Sequence, residues 1–424
     1  MHNWAENVEY STDDLRHPTT VDEVREIVAS SSSVKALGSR HSFSRIADTT
    51  GVQVSLDALD VPVEVDEGAG GAGAAASVRV GAGVTHARLA VALQERGLAL
   101  GNLASLPHIS VAGAVSTGTH GSGVGNPALS AAVRELEIVR ADGSLDVLRR
   151  GDEHFDATVV GLGALGVVTA LTLDAVPTYD VAQTVWEGVP WRAALDSFDD
   201  LVASAYSVSL FTPWTGDDLG QVWQKARVGY AAGLDPASLG GRASGVPLHP
   251  LPGVAADAVN PQLGEAGPWL DRLPHFRADL TPSAGEEIQS EYLVPAEHAV
   301  AAIEALRAVA DRFAPVLFVG EIRTMAPDDA WLSPSGGRQS VGFHFTWQRR
   351  ADDVLAALEH VEAAHEPFDP RPHWGKVSRF DRDRTRRAYP RLDEFAAHVA
   401  DVDPEGRFRN AHLARTVLGG EDER

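Results

Sequence analysis

Hydrophobic spacing switches between helix and strand periods along the 424-residue chain. Residues 18–30 place apolar side chains three and four apart, the spacing of an amphipathic helix. Thr20 stands where an N-cap belongs, and Glu23 three residues on gives capping-box spacing. The run from Val34 to Leu37 predicts a strand that ends in a polar turn, Gly38 to Phe43. Residues 52–56 alternate as a second strand, and Val78 to Gly81 begins a third. Between them the Gly/Ala tract 67–77 reads as a flexible hairpin tip. A helix over 85–96 closes at Gly97. Strands at 133–140 and 145–148 flank an Ala-Asp-Gly-Ser turn, 155–165 has helical spacing, and 166–173 reads as a buried strand. Val-Pro-Thr-Tyr-Asp at 176–180 marks a domain boundary.

Beyond that point Trp and Pro become frequent. The pattern predicts strands at 206–211 and 341–347 and helices at 295–314 and 351–364. Residues 230–285 form a Pro/Gly-rich connection without strong periodicity, and the tail contains a charged helical stretch. The expected organisation is a first domain over 1–178, a second over 179–370, and a segment over 371–424 that returns to the first.

Composition narrows the function classes. Hydrophobic residues make up 44% of the chain and charged residues 22%, as in an ordinary globular protein. The absence of cysteine excludes disulfides, thiolate nucleophiles and thiolate-held metals. A net charge of −23 opposes nucleic acid. No apolar run is long enough to span a bilayer, and the polar start lacks signal-peptide architecture. The expectation is a cytoplasmic monomer with no membrane and no nucleic-acid partner.

Two turns suit a bound pyrophosphate, because small residues let backbone N–H groups approach phosphates. They are Gly38-Ser-Arg and the stretch Gly113 to Gly121. Residues 161–166 spell GxGxxG, but they lie in helical spacing and lead into a strand, the reverse of Rossmann order. Taken singly, each turn is ordinary turn chemistry. Together, Ala36-Leu-Gly-Ser-Arg-His-Ser-Phe43, Leu103-Ala-Ser-Leu-Pro-His-Ile-Ser-Val-Ala-Gly113, Thr117-Gly-Thr-His-Gly-Ser-Gly123 and Leu162-Gly-Ala-Leu-Gly-Val-Val168 resemble the flavin domain of the vanillyl-alcohol oxidase (p-cresol methylhydroxylase) family. Within it they resemble the alditol (xylitol) oxidase branch, along nearly the whole chain.

The resemblance implies an α+β, two-domain flavoprotein: a PCMH-type FAD-binding domain and an antiparallel-sheet cap, with the flavin between them. It implies FAD joined covalently to His41. The cofactor would be held by Ala36, Leu37, Gly38, Ser39, Arg40, Ser42, Ser105 and Ser110, by Gly113, Thr117, Gly118, Thr119 and His120, and by Val168 and His373. Arg40 stands where some members carry Gly, so a positive φ there would strain the turn.

An alcohol becomes an aldehyde by giving hydride to the flavin and a proton to the protein, so charged residues on interior strands are the feature to look for. Alternation puts Glu321 and Arg323 on one strand face with Ile322 opposite, and His344 and Thr346 repeat the pattern. Taken alone, Glu321-Ile-Arg323 reads as the exposed face of an amphipathic strand. Carried over by position, the resemblance implies that Ser105, Glu321, Arg323, Thr346 and Lys376 line a polyol pocket, with His344 beside them. It gives the catalytic part to Arg323 and Lys376. Dioxygen would be the acceptor, giving hydrogen peroxide. The alternatives are a sugar-lactone oxidase or dehydrogenase and a flavin-bearing carbohydrate-binding protein without chemistry. His108 and His120 lie in turns and suit structural roles. Glu362, His365 and Glu366 cluster on one helix, read as a solvated face with no metal.

Overall fold

The computed structural model describes residues 1–68, 73–280 and 286–420. The early chain builds two sheets. In the first, the central strand Val52–Ser55 pairs in parallel with Val34–Leu37 on one side and Leu15–Arg16 on the other. Every residue of Val52–Ser55 is buried, Gln53 and Ser55 included, so its alternation does not separate core from solvent. Gln53 offsets part of the cost of burial by donating from Nε2 to the Ala47 carbonyl at 2.8 Å, while its Oε1 is buried without a partner. The helix Val21–Ser30 starts at the expected cap, where Thr20 Oγ1 accepts from Glu23 N at 3.2 Å. The reciprocal half of the box is displaced by one residue: the Glu23 carboxylate accepts from Thr19 N at 2.6 Å.

The second sheet is antiparallel and six-stranded. Its path runs Glu64–Asp66, Ala76–Gly81, Val167–Pro177, Val133–Val139, Leu145–Arg149, with Leu98–Ala99 added to Val167–Pro177. Glu64–Asp66 and Ala76–Gly81 form a hairpin, and residues 69–72 of the expected tip lie outside the described residues. The helix expected over 155–165 is shorter. It covers Phe155–Val159 and cannot continue, because Leu162 and Gly163 adopt positive φ of 56° and 62°. Both carbonyls of that turn accept from the buried Lys35 Nζ, at 3.5 and 3.0 Å.

The later chain forms an antiparallel sheet of nine strands, whose centre runs Ser207–Thr212, Leu317–Met325, Ser340–Gln348, Glu287–Pro295. Ile322, Phe343 and Tyr292 are cross-strand neighbours on one face. There they join an apolar core with Ile303 and Leu306 of the helix Ala299–Ala308 and Leu358 and Val361 of the helix Ala351–His365. The first of these helices is shorter than the 295–314 expected, since short 3₁₀ turns replace its ends near Pro295 and Pro315. The second corrects the solvated-face reading. Glu362 and His365 are buried, and Glu362 accepts from Tyr292 Oη at 2.7 Å and pairs with Arg384. His365 packs its ring against Phe343, with centroids 4.9 Å apart.

The C-terminal helices Arg382–Ala388 and Leu392–Val402 follow. Leu392, Phe395, Phe408 and Val417 share one apolar core with Val34, Val54 and Val111 of the early chain. Among the described residues, no helix is long and apolar enough to cross a membrane.

Candidate active site

A cavity of about 1220 Å³ lies between the early-chain turns and the face of the nine-stranded sheet opposite Ile322, Phe343 and Tyr292. All the expected site residues line it except Gly118, whose φ of +65° turns it toward Pro334.

The early-chain wall is made of backbone and small side chains. A Cβ on Gly38 would stand 2.5 Å from Ser110 Oγ, and one on Gly113 would stand 2.8 Å from the same atom. A larger residue at either position would have to displace the Ser110 hydroxyl, and the glycines leave the backbone bare to the cavity. Thr117 Oγ1 donates to the Gly113 carbonyl at 2.9 Å and lies 3.2 Å from Thr119 Oγ1. His41 follows the turn, its ring stacked on Trp4 with centroids 4.4 Å apart. Its Nε2 is buried without a hydrogen-bond partner. Burial, helped by His108 and Lys376, pulls His41 down to about 4, so the imidazole is neutral at pH 7. Arg40 has φ of +60°, the strained conformation for a side chain at this position, and its carbonyl accepts from Trp4 N at 2.8 Å.

The sheet wall is charged. Strand register places Glu291, His344 and Glu321 in one row across three strands, facing the cavity. Arg323, two residues after Glu321, lies opposite Gly342, where a Cβ would crowd Glu291 Oε1 at 3.3 Å. The glycine thus leaves room for the Glu291 carboxylate that the guanidinium binds. Glu291 binds a different cation on each oxygen. Arg323 Nη2 donates to Oε1 at 2.5 Å, and Lys376 Nζ donates to Oε2 at 2.6 Å. His120 Nε2 lies 3.4 Å from Oε1. Lys376 Nζ also lies 2.7 Å from His344 Nδ1, and His344 Nε2 lies 3.0 Å from Thr346 Oγ1. Arg323 Nη1 reaches Ser105 Oγ at 3.3 Å, and Glu321 Oε1 meets His275 Nε2 at 2.8 Å.

The segment after Arg371–Pro372 joins the two walls. His373 N donates to the Glu291 carbonyl at 3.0 Å, and Val377 N to the Gln289 carbonyl at 2.9 Å. On the other side Phe43 N donates to the Gly375 carbonyl at 2.7 Å, and Ser44 Oγ to the Trp374 carbonyl at 2.8 Å. These bonds fix Lys376 between the sheet and the turn that carries His41.

The charges balance. Burial opposes the charge on Glu291, yet Arg323, Lys376 and His120 outweigh it and hold the group well below the usual carboxylate range. Burial likewise opposes Glu321, and Arg323 and His275 reverse it, so Glu321 is also lowered. Lys376 is lowered from 10.5 by burial and by Arg323, while Glu291 pulls it back up. Burial and Lys376 draw His344 down to about 4. Arg323 is raised, because Glu291 and Glu321 overcome its burial. Two carboxylates therefore face one guanidinium that stays charged and one amine that gives up its proton below its ordinary pKa.

Glu291 was not among the residues expected from the sequence, nor were His275, which meets Glu321, and Lys225 behind His275. Glu291 carried a faint signal, an acid at period two from Gln289 and Glu287 in what is the strand Glu287–Pro295. His275 lies in the aperiodic 230–285 connection and carried none. The ligating atoms of His120, Glu291 and His373 lie within 4.8 Å of one another, as in some metal sites. Here both oxygens of Glu291 already face cations, and these repel a second positive ion.

The unpartnered His41 Nε2, the bare glycine turns and the size of the cavity fit a flavin nucleotide. The comparisons agree. A family model described as "FAD binding domain" matches residues 14–148, and one described as "D-arabinono-1,4-lactone oxidase" matches residues 284–416. FAD is the cofactor of this fold. The chain is 47% identical to an alditol oxidase from Streptomyces sp. (strain IKD472 / FERM P-14339), with 99% of each chain covered. It is 29% identical to the L-gulono-1,4-lactone dehydrogenase of Mycobacterium tuberculosis, with 98% of each covered. A crystal structure of cholesterol oxidase from B. sterolicum superposes with a TM-score of 0.78 at 15% identity, covering 98% of this chain and 96% of that one, a likeness of fold. The chain belongs to the vanillyl-alcohol oxidase/p-cresol methylhydroxylase flavoprotein family, in the branch that holds the alditol oxidase.

Proposed function

We propose that this protein is an FAD-dependent alditol oxidase: it oxidises a terminal hydroxyl of an acyclic polyol to the aldehyde, and dioxygen leaves as hydrogen peroxide. The observation that carries the reading is the pairing of Arg323 and Lys376 on the two oxygens of one buried carboxylate, Glu291, in the cavity that His41 also lines. Bound FAD supplies the two-electron acceptor for hydride and is reoxidised by dioxygen.

The protein's own part is to bind, orient and deprotonate. Gly38, Ser39, Ser110, Gly113 and Thr117 would hold the cofactor, and His41, whose ring lacks a hydrogen-bond partner at Nε2, would carry it covalently. Arg323 holds the reacting oxygen and stabilises negative charge as it develops there. Lys376, in its uncharged form, accepts the hydroxyl proton at Nζ. Glu291 fixes both cations. Ser105, Glu321 and Thr346 bind the remaining hydroxyls, which must find partners once buried. The working organisation is a cofactor domain over residues 1–178, a cap over 179–370 and a returning segment from 371. The enzyme acts as a cytoplasmic monomer, and size-exclusion chromatography near 45.0 kDa tests the monomer.

The assignment is tested by incubating the purified yellow protein with xylitol and sorbitol and measuring peroxide, then denaturing it in acid. Peroxide release and colour retained on the polypeptide are expected. Absence of peroxide refutes the oxidase, and colour lost to the supernatant refutes the His41 bond. The lactone oxidase model over residues 284–416 favours a second reading, aldonolactone oxidation. The 47% full-length identity to the alditol oxidase, against 29% to the lactone dehydrogenase, ranks it second, and an aldonolactone in the same assay decides.

A further inference from the structure

Behind Glu321 lies a buried chain of groups to which the proposed reaction assigns no part. Lys225, on the strand Gln221–Arg227, is only 1% exposed. Its Nζ has three acceptors: the Leu273 carbonyl at 2.5 Å, the Pro274 carbonyl at 2.9 Å and His275 Nδ1 at 3.1 Å. An ammonium has three hydrogens to give, so the count closes with none left over. His275 Nε2 then lies 2.8 Å from Glu321 Oε1.

The direction of every proton in this chain follows from chemistry. Glu321 is a carboxylate and can only accept, so His275 Nε2 must carry a hydrogen. A neutral imidazole with hydrogen on Nε2 has a bare Nδ1, which must itself accept, and Lys225 supplies the hydrogen. Burial draws Lys225 down to about 7 and the charge of Glu321 draws it up; the ammonium is the form in which every group is satisfied. The same segment clasps the opposite wall, since His275 N and Phe276 N both donate to the Ser105 carbonyl, at 3.1 and 3.3 Å.

We infer that Lys225 and His275 form a relay that fixes Glu321 as a pure hydrogen-bond acceptor, and that this relay sets the requirement for a hydroxyl on the carbon next to the reacting one. His275 occupies Oε1 of Glu321, and Oε2, with Arg323 Nε 3.7 Å away, keeps capacity for one more donor. A hydroxyl hydrogen suits that position; a substrate with only hydrogen on that carbon leaves a buried carboxylate lone pair unmet. Lys225 and His275 are positioning residues, acting through Glu321. The inference rests on the alditol oxidase reading and names the substrate feature it selects, a vicinal diol.

The test compares kcat/KM for glycerol and for 1,3-propanediol, which lacks only the middle hydroxyl. The wild type is expected to prefer glycerol by roughly a hundredfold or more. In Lys225→Met and His275→Phe the preference should fall by at least about tenfold, with the FAD absorbance retained. His275→Gln, which keeps an N–H at the position of Nε2, should restore most of it. A purely structural role would lower both substrates alike and leave the ratio unchanged, and that result overturns the inference. Should Lys225→Met fail to fold, the His275→Phe and His275→Gln pair decides alone. Peroxide from polyols with an unchanged ratio overturns this inference only; no peroxide from any polyol overturns the oxidase reading and the inference with it.

Discussion

The two walls of the cavity solve opposite problems. The early-chain wall presents glycines, small hydroxyls and one imidazole nitrogen with nothing to bind. The sheet wall presents charged side chains that pair with one another, Glu291 with Arg323 and Lys376, Glu321 with His275, and leaves Arg323 Nε and Glu321 Oε2 open toward a ligand. A wall with unmet groups suits a ligand that stays for the life of the protein. A wall whose charges are paired suits a ligand that arrives and leaves many times, because the groups keep their geometry between visits. In the proposed function, the cofactor accordingly takes the first wall and the substrate the second.

The comparison breaks most readily at Arg323. Arg323→Met leaves Glu291 and Glu321 facing each other with one cation fewer. Reduction of the flavin by polyol should fall by about a thousandfold, and chemical denaturation should show a loss of about 3–5 kcal/mol. Normal turnover by this variant would remove the guanidinium from the mechanism. Glu291→Gln comes next and sharpens the pairing argument through pH. In the proposed mechanism Lys376 accepts a proton only when uncharged, so kcat/KM in the wild type should rise with pH through a limb below 10.5. Glu291 holds that pKa up, so removing its charge should move the limb to lower pH, and a pH–rate profile with an unmoved limb contradicts the contact. On the opposite wall, His41→Ala leaves no charge unpaired. The variant should fold, and acid should now strip its yellow colour from the polypeptide; retained colour would place the bond elsewhere. The smallest effect is at Arg40, where φ is +60°. Arg40→Gly should relieve about 1 kcal/mol of backbone strain, seen as a small rise in melting temperature; a fall would mean that the side chain does more for the turn than its backbone costs.

The two walls were also unequally legible in the sequence. The early-chain turns stood out as punctuation, because glycine and hydroxyl residues crowd there for backbone reasons that any phosphate-binding turn shares. Glu321, Arg323, His344 and Thr346 were legible because a strand has period two, and in both strands the other face is apolar. Glu291 escaped because its strand mixes Gln, Ser and Glu with Tyr, Leu and Val, and nothing in one strand reveals that Arg323 and Lys376 reach its carboxylate from elsewhere. His275 escaped for a different reason: its place is set by contacts to Ser105 and Glu321, 170 and 46 residues away by number. Glu362 and His365 misled for the converse reason. Polar residues on a helix read as solvated until Tyr292 and Arg384 arrive from elsewhere to cover them. The helix expected over 155–165 failed at Leu162 and Gly163, whose turn is held by Lys35 from a distant strand.

The central claim is that the amine of Lys376 takes the proton from a polyol hydroxyl beside FAD. Anaerobic mixing with xylitol, followed by flavin absorbance, tests it most directly. The wild type should bleach, and Lys376→Met, with its FAD bound as before, should bleach slower by about a hundredfold or more. Equal rates for the two proteins, or no bleaching of the wild type, would contradict it.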